Sequence, residues 1–341
     1  MSESVTVLGD GAMATVCSIL LRSGGSDVVM WGAFEESIER LIQNRENARL
    51  LKGVQIPREV RLTANDEQAF INSSLIVSAI PTQFMRTVWT RLKKYLPRGV
   101  PIVSVAKGIE IDTLLRPTQV IADVISPGQT CGWELAALSG PNIAAELARY
   151  LPATAVAASA DEKLAKRIQQ LFSTQWFRVY TNSDVVGVEL AGAMKNIIAI
   201  AAGILDGLSA GNNAKAALVT RGLVEITRLG ISMGATEETF GGLAGLGDLI
   251  TTCVSPEGRN RTVGEQLGRG KKLSEILGAM DSIAEGVPTT RAVRQLAGRF
   301  GVEMPITEAV YAVLFDGKDV LHALSDLMSR EPKPEHVRSL P

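Results

Sequence analysis

An α/β fold is predicted, with a doubly wound parallel sheet in the N-terminal half and an all-α C-terminal domain after it. Three observations predict it. The chain opens on an apolar strand that runs straight into a glycine turn and a helical pattern, "SVTVLGDGAMATVCSILLRSGG". Short apolar runs ended by Pro or Gly then recur through the first half, as buried parallel strands do. From about Asp184 that alternation stops, and helical patterns separated by glycine clusters take over.

The first strand holds Val5, Val7 and Leu8, and the helix after the turn spans 12–21. Between them Gly9, Gly11 and Ala14 fit the spacing G-x-G-x-x-G/A. Gly9 allows the tight turn, Gly11 lets the backbone approach a pyrophosphate, and the small Ala14 lets helix pack on strand. The unpaired N–H groups of that helix then face the phosphates. In this strand–turn–helix–strand setting the fingerprint predicts a Rossmann-type fold. A ribose-binding acid should end the second strand, but "VVMWGAFEE" puts Trp31, Gly32 and Ala33 there, with no Arg for a 2′-phosphate. The choice between NAD and NADP stays open on this reading. "SLIVSAIP" and "GVPIVSVAKGIE" supply further parallel strands, the second ending at Lys107. Ligands of such sheets lie beyond the carboxyl ends of the strands, so Lys107 is positioned for an anion or a carbonyl oxygen. "ELAALSGPNIAAELARYL" reads as strand, loop and helix, with Asn142 as N-cap and Glu146 in the first turn.

In the second half helices are expected over 187–205, 213–232, 262–268, 273–279, 288–299 and 305–315. The domains divide as a dinucleotide-binding unit over 1–184, a helical substrate-binding unit over 185–330, and a Pro- and charge-rich tail over 331–341 expected to be disordered.

Composition narrows the function. Hydrophobic residues make up 46% of 341, charged residues 21%, and the formal net charge is -1, with the charges scattered. That pattern argues against a nucleic-acid partner. Cys17, Cys131 and Cys253 are far apart and form no CxxC, which fits a reducing, cytoplasmic setting. "MSESVTVLGDGAM" lacks the basic region of a signal peptide, and uninterrupted apolar runs fall short of the roughly 18 residues a membrane span needs. The two histidines, His322 and His336, both lie near the C-terminus. Acid–base work therefore falls to lysine or carboxylate.

Lys195 is the first candidate. Its helical neighbours Ala191, Gly192, Ile198 and Ala199 are small or aliphatic, the surface of an interior wall rather than of a solvated face. Desolvation and nearby cations such as Lys107 lower a lysine's pKa, which suits proton exchange with a carbonyl or hydroxyl oxygen. "FGGLAGLGDLITTC" packs glycines around the single acid Asp248, which suggests close backbone approach and a carboxylate held against a cation. "SPEGRNRTVGEQL" sets Arg259, Asn260 and Arg261 at a helix entry, suited to phosphate.

Together "ELAGAMKNIIAIAAG", "GLAGLGDLITTC", "GRNRTVG", "SIAEGVPTT", "VAKGIE" and "LSGPNIAAE" resemble the NAD(P)-dependent glycerol-3-phosphate dehydrogenases of the bacterial type, from about residue 5 to 330. The resemblance implies reversible reduction of dihydroxyacetone phosphate to sn-glycerol 3-phosphate, which feeds phospholipid synthesis. It implies Lys195 as general acid/base, with Lys107, Gly140, Asn142, Gly258, Arg259 and Asn260 on the substrate and Asp248 either orienting Lys195 or touching the substrate. Gly9, Gly11, Ala12, Met13, Ala14, Lys107, Ala144, Arg259, Ile283 and Glu285 would meet NAD or NADP, with Ile283 and Glu285 near the nicotinamide. No metal is implied, and such dehydrogenases often pair as homodimers. Departures stand at Ala12 and Met13, where a Ser-Trp pair is common, and at Asn142 and Gly258, where serine is usual. Ala33 replaces a cofactor-selecting basic residue, which leaves the coenzyme preference open. Another two-domain hydroxyacid dehydrogenase and a catalytically silent dinucleotide-binding sensor are the alternative readings.

Overall fold

The computed structural model describes residues 2–128, 132–280, 283–332 and 334. Cys131, His336 and most of the tail expected over 331–341 lie outside the described residues. Eight strands alternate with helices through the first half: β1 Ser4–Leu8, α1 Ala12–Ser23, β2 Asp27–Trp31, α2 Glu35–Asn44, β3 Arg61–Thr63, β4 Leu75–Ser78, α3 Thr82–Leu92, β5 Ile102–Ser104, α4 Pro117–Ile125, β6 Leu135–Ser139, α5 Ala144–Ala148, β7 Ala153–Ser159, α6 Glu162–Phe172 and β8 Phe177–Asn182. They form one sheet in the order β3-β2-β1-β4-β5-β6-β7-β8. Every neighbouring pair is parallel except β6 and β7. Helices cover both faces. Val5, Val7 and Met30 pack under α1 and α6, while Leu8, Trp31 and Ile76 pack under α3 and α4. Strands covered on both sides need apolar residues at successive positions, which is why they read as unbroken runs.

The second half is helical: α7 Val185–Gly207, α8 Gly211–Ser232, α9 Glu237–Gly241, a π-helical turn Leu243–Gly247, α10 Asp248–Val254, α11 Arg259–Gly268, α12 Leu273–Gly278, α13 Gly286–Phe300, α14 Pro305–Phe315 and α15 Val320–Met328. The short α9 and α10 and the late α15 are additions to the six helices expected from periodicity. A run of five to nine residues carries too few turns to show a period.

α7 is the axis of this half. Asp184 caps it by accepting from the Gly187 N–H at 2.7 Å, and every residue from 187 to 205 is buried. A helix apolar all round must be covered all round. By length and composition α7 could cross a membrane, but 83% of its most apolar window is already buried inside the fold.

Candidate functional site

The carboxyl edge of the sheet meets α7, α10, α11 and the start of α13, and most of the residues singled out above converge there. Lys107, in the loop after β5, directs its ammonium to Asp248 Oδ2 at 2.7 Å, Asn142 Oδ1 at 2.7 Å and the Gly140 carbonyl at 3.0 Å. Lys195 lies ten residues into α7, nearly three turns from its start. It donates to Asp248 Oδ1 at 2.6 Å and to the Thr252 hydroxyl. Asp248 is 1% exposed and bridges both ammonium groups, one oxygen to each. Lys107 thus uses all three of its N–H donors, whereas Lys195 keeps one with no acceptor among the described residues.

Local chain chemistry builds this arrangement. Gly192 on α7 leaves room for the Lys107 stem, since a Cβ there would stand 3.4 Å from Lys107 Cγ and 3.0 Å from Ser139 Oγ. Asn196 donates from Nδ2 to the Lys107 carbonyl at 3.0 Å and so fixes the loop that carries the second lysine. Gly140 has φ +143, and a Cβ on it would stand 2.9 Å from Ala155 Cα, so only glycine lets the loop after β6 lie against β7. In the π-helical turn, a Cβ on Gly245 would stand 2.1 Å from the Phe240 carbonyl, which is how the glycine-rich run brings Asp248 inward.

Burial pushes the Lys107 ammonium down to about 8, against the upward pull of Asp248 and with a further downward push from Lys195. Burial raises the Glu285 carboxyl, which the Thr82 backbone N–H, Arg259 and Lys107 pull back down. Glu285 Oε1 accepts from the Thr82 N–H at 2.9 Å and so ties the start of α13 to the start of α3.

The phosphate candidates divide. Gly258 is the N-cap of α11, and Arg259 is exposed on its first turn, with no hydrogen bond or ion pair among the described residues. Asn260 is buried, and its Oδ1 accepts from the Gly286 N–H at 2.9 Å, which leaves its amide nitrogen as the group free to donate. Arg261 is engaged elsewhere, with Nη2 2.6 Å from Asp206.

The glycine turn fits a dinucleotide. Gly9 has φ +123, and a Cβ on it would stand 2.9 Å from the Ala79 carbonyl, while a Cβ on Gly11 would meet nothing within 4 Å. The twelve-residue α1 starts with no capping side chain and no acid in its first turn, so its N–H groups at Ala12 and Met13 are open to an anion. Ala14 is fully buried against Gly9. Asn47, which the sequence reading missed, is buried and braces the loop by donating to the Asp10 carbonyl at 2.9 Å and to Thr15 Oγ1 at 3.1 Å. Ala144 opens α5, which packs on α1, and Ile283 stands partly exposed before α13.

Two expectations are corrected. Asn142 does not cap α5: Ile143 is the N-cap, no side chain bonds there, and α5 is only five residues long. The Asn142 carbonyl oxygen is taken by the buried Lys107 ammonium, a stronger partner than a neutral backbone N–H. A basic side chain also does stand at the end of β2, although none follows it in sequence. Arg91 of α3 donates from Nη1 to the Ala33 carbonyl at 3.0 Å. Thr252 is a third addition to the site. It stands four residues after Asp248 and one helical turn away, a spacing from which it could have been found.

Comparison with known proteins finds matches over nearly the whole chain. Residues 4–165 match the model of the NAD-dependent glycerol-3-phosphate dehydrogenase N-terminus, and 184–325 that of its C-terminus. A glycerol-3-phosphate dehydrogenase [NAD(P)+] of Citrifermentans bemidjiense is 46% identical over 337 residues, covering 99% of this chain and 100% of the relative. That of Geobacter sulfurreducens is 47% identical over 335 residues, 98% of this chain and 99% of its own. The crystal structure of glycerol-3-phosphate dehydrogenase from Coxiella burnetii superposes with a TM-score of 0.91 at 34% identity, over 96% of this chain and 99% of that one. With both halves matched in order and two lysines held on one buried aspartate, the chain belongs to the NAD-dependent glycerol-3-phosphate dehydrogenase family.

Proposed function

We propose that the chain is an NAD(P)-dependent sn-glycerol-3-phosphate dehydrogenase, which reduces dihydroxyacetone phosphate reversibly in the cytoplasm and supplies the glycerol backbone of phospholipids. A homodimer, as is common among such dehydrogenases, is the assembly we assign to it. The observation that carries the reading is Asp248 held between Lys107 and Lys195, with a single Lys195 N–H left over.

When bound, the nicotinamide coenzyme supplies a hydride to the substrate's carbonyl carbon. The glycine turn and the open N-terminus of α1 suit its pyrophosphate. Arg259, the amide nitrogen of Asn260 and the first N–H groups of the ten-residue α11 are suited to the substrate phosphate. The free N–H of Lys195 gives its proton to the ketone oxygen, which becomes the hydroxyl of the product, and the neutral amine regains a proton from solvent. Asp248 and Thr252 hold Lys195 in direction through the transfer. Lys107 stays beside it as fixed positive charge for the developing alkoxide. Holding two reactants in line contributes roughly 7–11 kcal/mol, and a positioned proton donor about 10²- to 10⁴-fold.

The test is oxidation of NADH and NADPH followed by absorbance, with dihydroxyacetone phosphate as substrate. Turnover with either coenzyme is the expected result. Turnover only with a 2-keto acid would favour a hydroxyacid dehydrogenase. Coenzyme binding without turnover on any ketone would favour the silent sensor.

A further inference from the structure

The end of β2 is where a Rossmann-type fold reads the adenosine ribose, with an acid for the free 2′-hydroxyl or an arginine for the 2′-phosphate. Neither is present in sequence at Trp31-Gly32-Ala33. The fold brings one from 58 residues away. The Arg91 guanidinium lies over the Trp31 ring, 5.3 Å from its centroid, and donates to the Ala33 carbonyl. Asp66, in the loop after β3, clamps it with two bonds of 2.7 Å and also accepts from Trp31 Nε1 at 3.2 Å. β2, the loop after β3, and α3 therefore meet on one guanidinium. Three of its five N–H donors are used, and two have no acceptor among the described residues. The side chain is 44% exposed, while that of Asp66 is only 17% exposed.

We propose that Arg91 is the residue that lets this chain hold NADP. Its two spare N–H donors bind the adenosine 2′-phosphate, in place of a cation on the strand end itself. This rests on the dehydrogenase reading above. A surface ion pair alone would need no stacking on Trp31 and no bond to the strand-end carbonyl. Those two contacts fix the guanidinium in one orientation, so little side-chain entropy is lost when a phosphate arrives. The planar fork presents donors as a phosphate takes them, and a phosphate bond to a charged donor is among the stronger ones. Asp66 sets the limit. It orients Arg91 but cancels part of its charge, which leaves NAD usable as well.

The test reads binding rather than turnover, by quenching of intrinsic fluorescence with NADPH and NADH and by calorimetric titration with 2′,5′-ADP and 5′-AMP. In Arg91→Gln the Kd for NADPH and for 2′,5′-ADP should rise at least tenfold, with those for NADH and 5′-AMP within twofold. Asp66→Asn, which keeps an acceptor for Trp31 and removes the opposing charge, should tighten NADPH and leave NADH unchanged. Should Arg91→Gln fold poorly, Asp66→Asn supplies the second reading, and NADPH binding unchanged there would overturn the proposal; where Arg91→Gln folds, adding Ala33→Arg should restore NADPH binding by returning a cation to the strand end. Equal weakening of NADH and NADPH in Arg91→Gln would mean a contact to the base or a structural role, and would overturn the proposal. So would unchanged binding of both. A parent chain that binds neither coenzyme would sink the dehydrogenase reading and this one with it.

Discussion

Lys195 and Lys107 lean on the same carboxylate, and the division of their donors separates their work. Lys195 has an N–H to give, so Lys195→Ala should lower kcat by about 10²- to 10⁴-fold while the Kd for NADH, read by fluorescence, stays near the parent value. Turnover close to normal would remove Lys195 from the proton-transfer role. Lys107, with all its donors engaged, is left the role of charge in the proposed reaction. Its ammonium sits at about 8, below the ordinary 10.5, because it is buried. Between those two values the unfolded chain binds more protons than the folded one, so this group's effect on stability becomes more favourable as pH rises through that window. Substrate affinity runs the other way. KM for dihydroxyacetone phosphate should rise as pH climbs through about 8 and Lys107 loses its charge, and a KM flat from neutral to strongly alkaline pH would contradict that. Sequence alone gave Lys195 its apolar neighbours. It could not show that Asn196 serves the Lys107 carbonyl, because the two residues are 89 positions apart.

At the level of elements, the contact between α7 and α11 decides how far Lys195 stands from the proposed phosphate site at the start of α11. Gly203 and Gly207 of α7 face Gly264 and Gly268 of α11 with backbones touching. A Cβ on Gly264 would stand 1.9 Å from the Ile200 carbonyl, and one on Gly203 would stand 2.0 Å from the Arg261 carbonyl. The first turn of α11 carries Arg259 and Asn260, so any wedge between the helices moves them away from Lys195. Gly264→Ala should therefore cost at least about 1–3 kcal/mol in denaturant unfolding and raise KM for the phosphorylated substrate. Parent-like stability would mean that the helices separate without cost. Each pair of glycines is visible in sequence as G-x-x-x-G, but which helix faces which is not.

Across the whole molecule, the sheet half and the helical half are joined by a buried carboxylate. Glu189 of α7 takes the Arg116 guanidinium in an ion pair and accepts from the Thr118 N–H and hydroxyl, both at 2.8 Å, where α4 begins. Burial pushes this carboxyl up, and Arg116 and Thr118 draw it back. Glu189→Ala would leave Arg116 buried without its counter-charge, a loss of about 3–5 kcal/mol, measurable as a lower denaturant midpoint. A shift of a few tenths would mean that water reaches the cation. Glu285 adds a second tie, accepting from the Thr82 N–H where α3 begins.

Short-range pattern determined the glycine turn, the apolar strands, the long buried helix with one lysine, and the passage from sheet to helices near Asp184. Each is set within a few turns or strand lengths by period and steric freedom, so a linear reading suffices. Tertiary structure alone decided which residues face one another. It brought Asp248 between two lysines that lie 88 positions apart, gave Asn142 to Lys107 rather than to its own helix, and carried Arg91 to the end of β2. Such partners are chosen by chain crossings and by buried charge that must find its counter-charge, and neither leaves a periodic trace in the sequence.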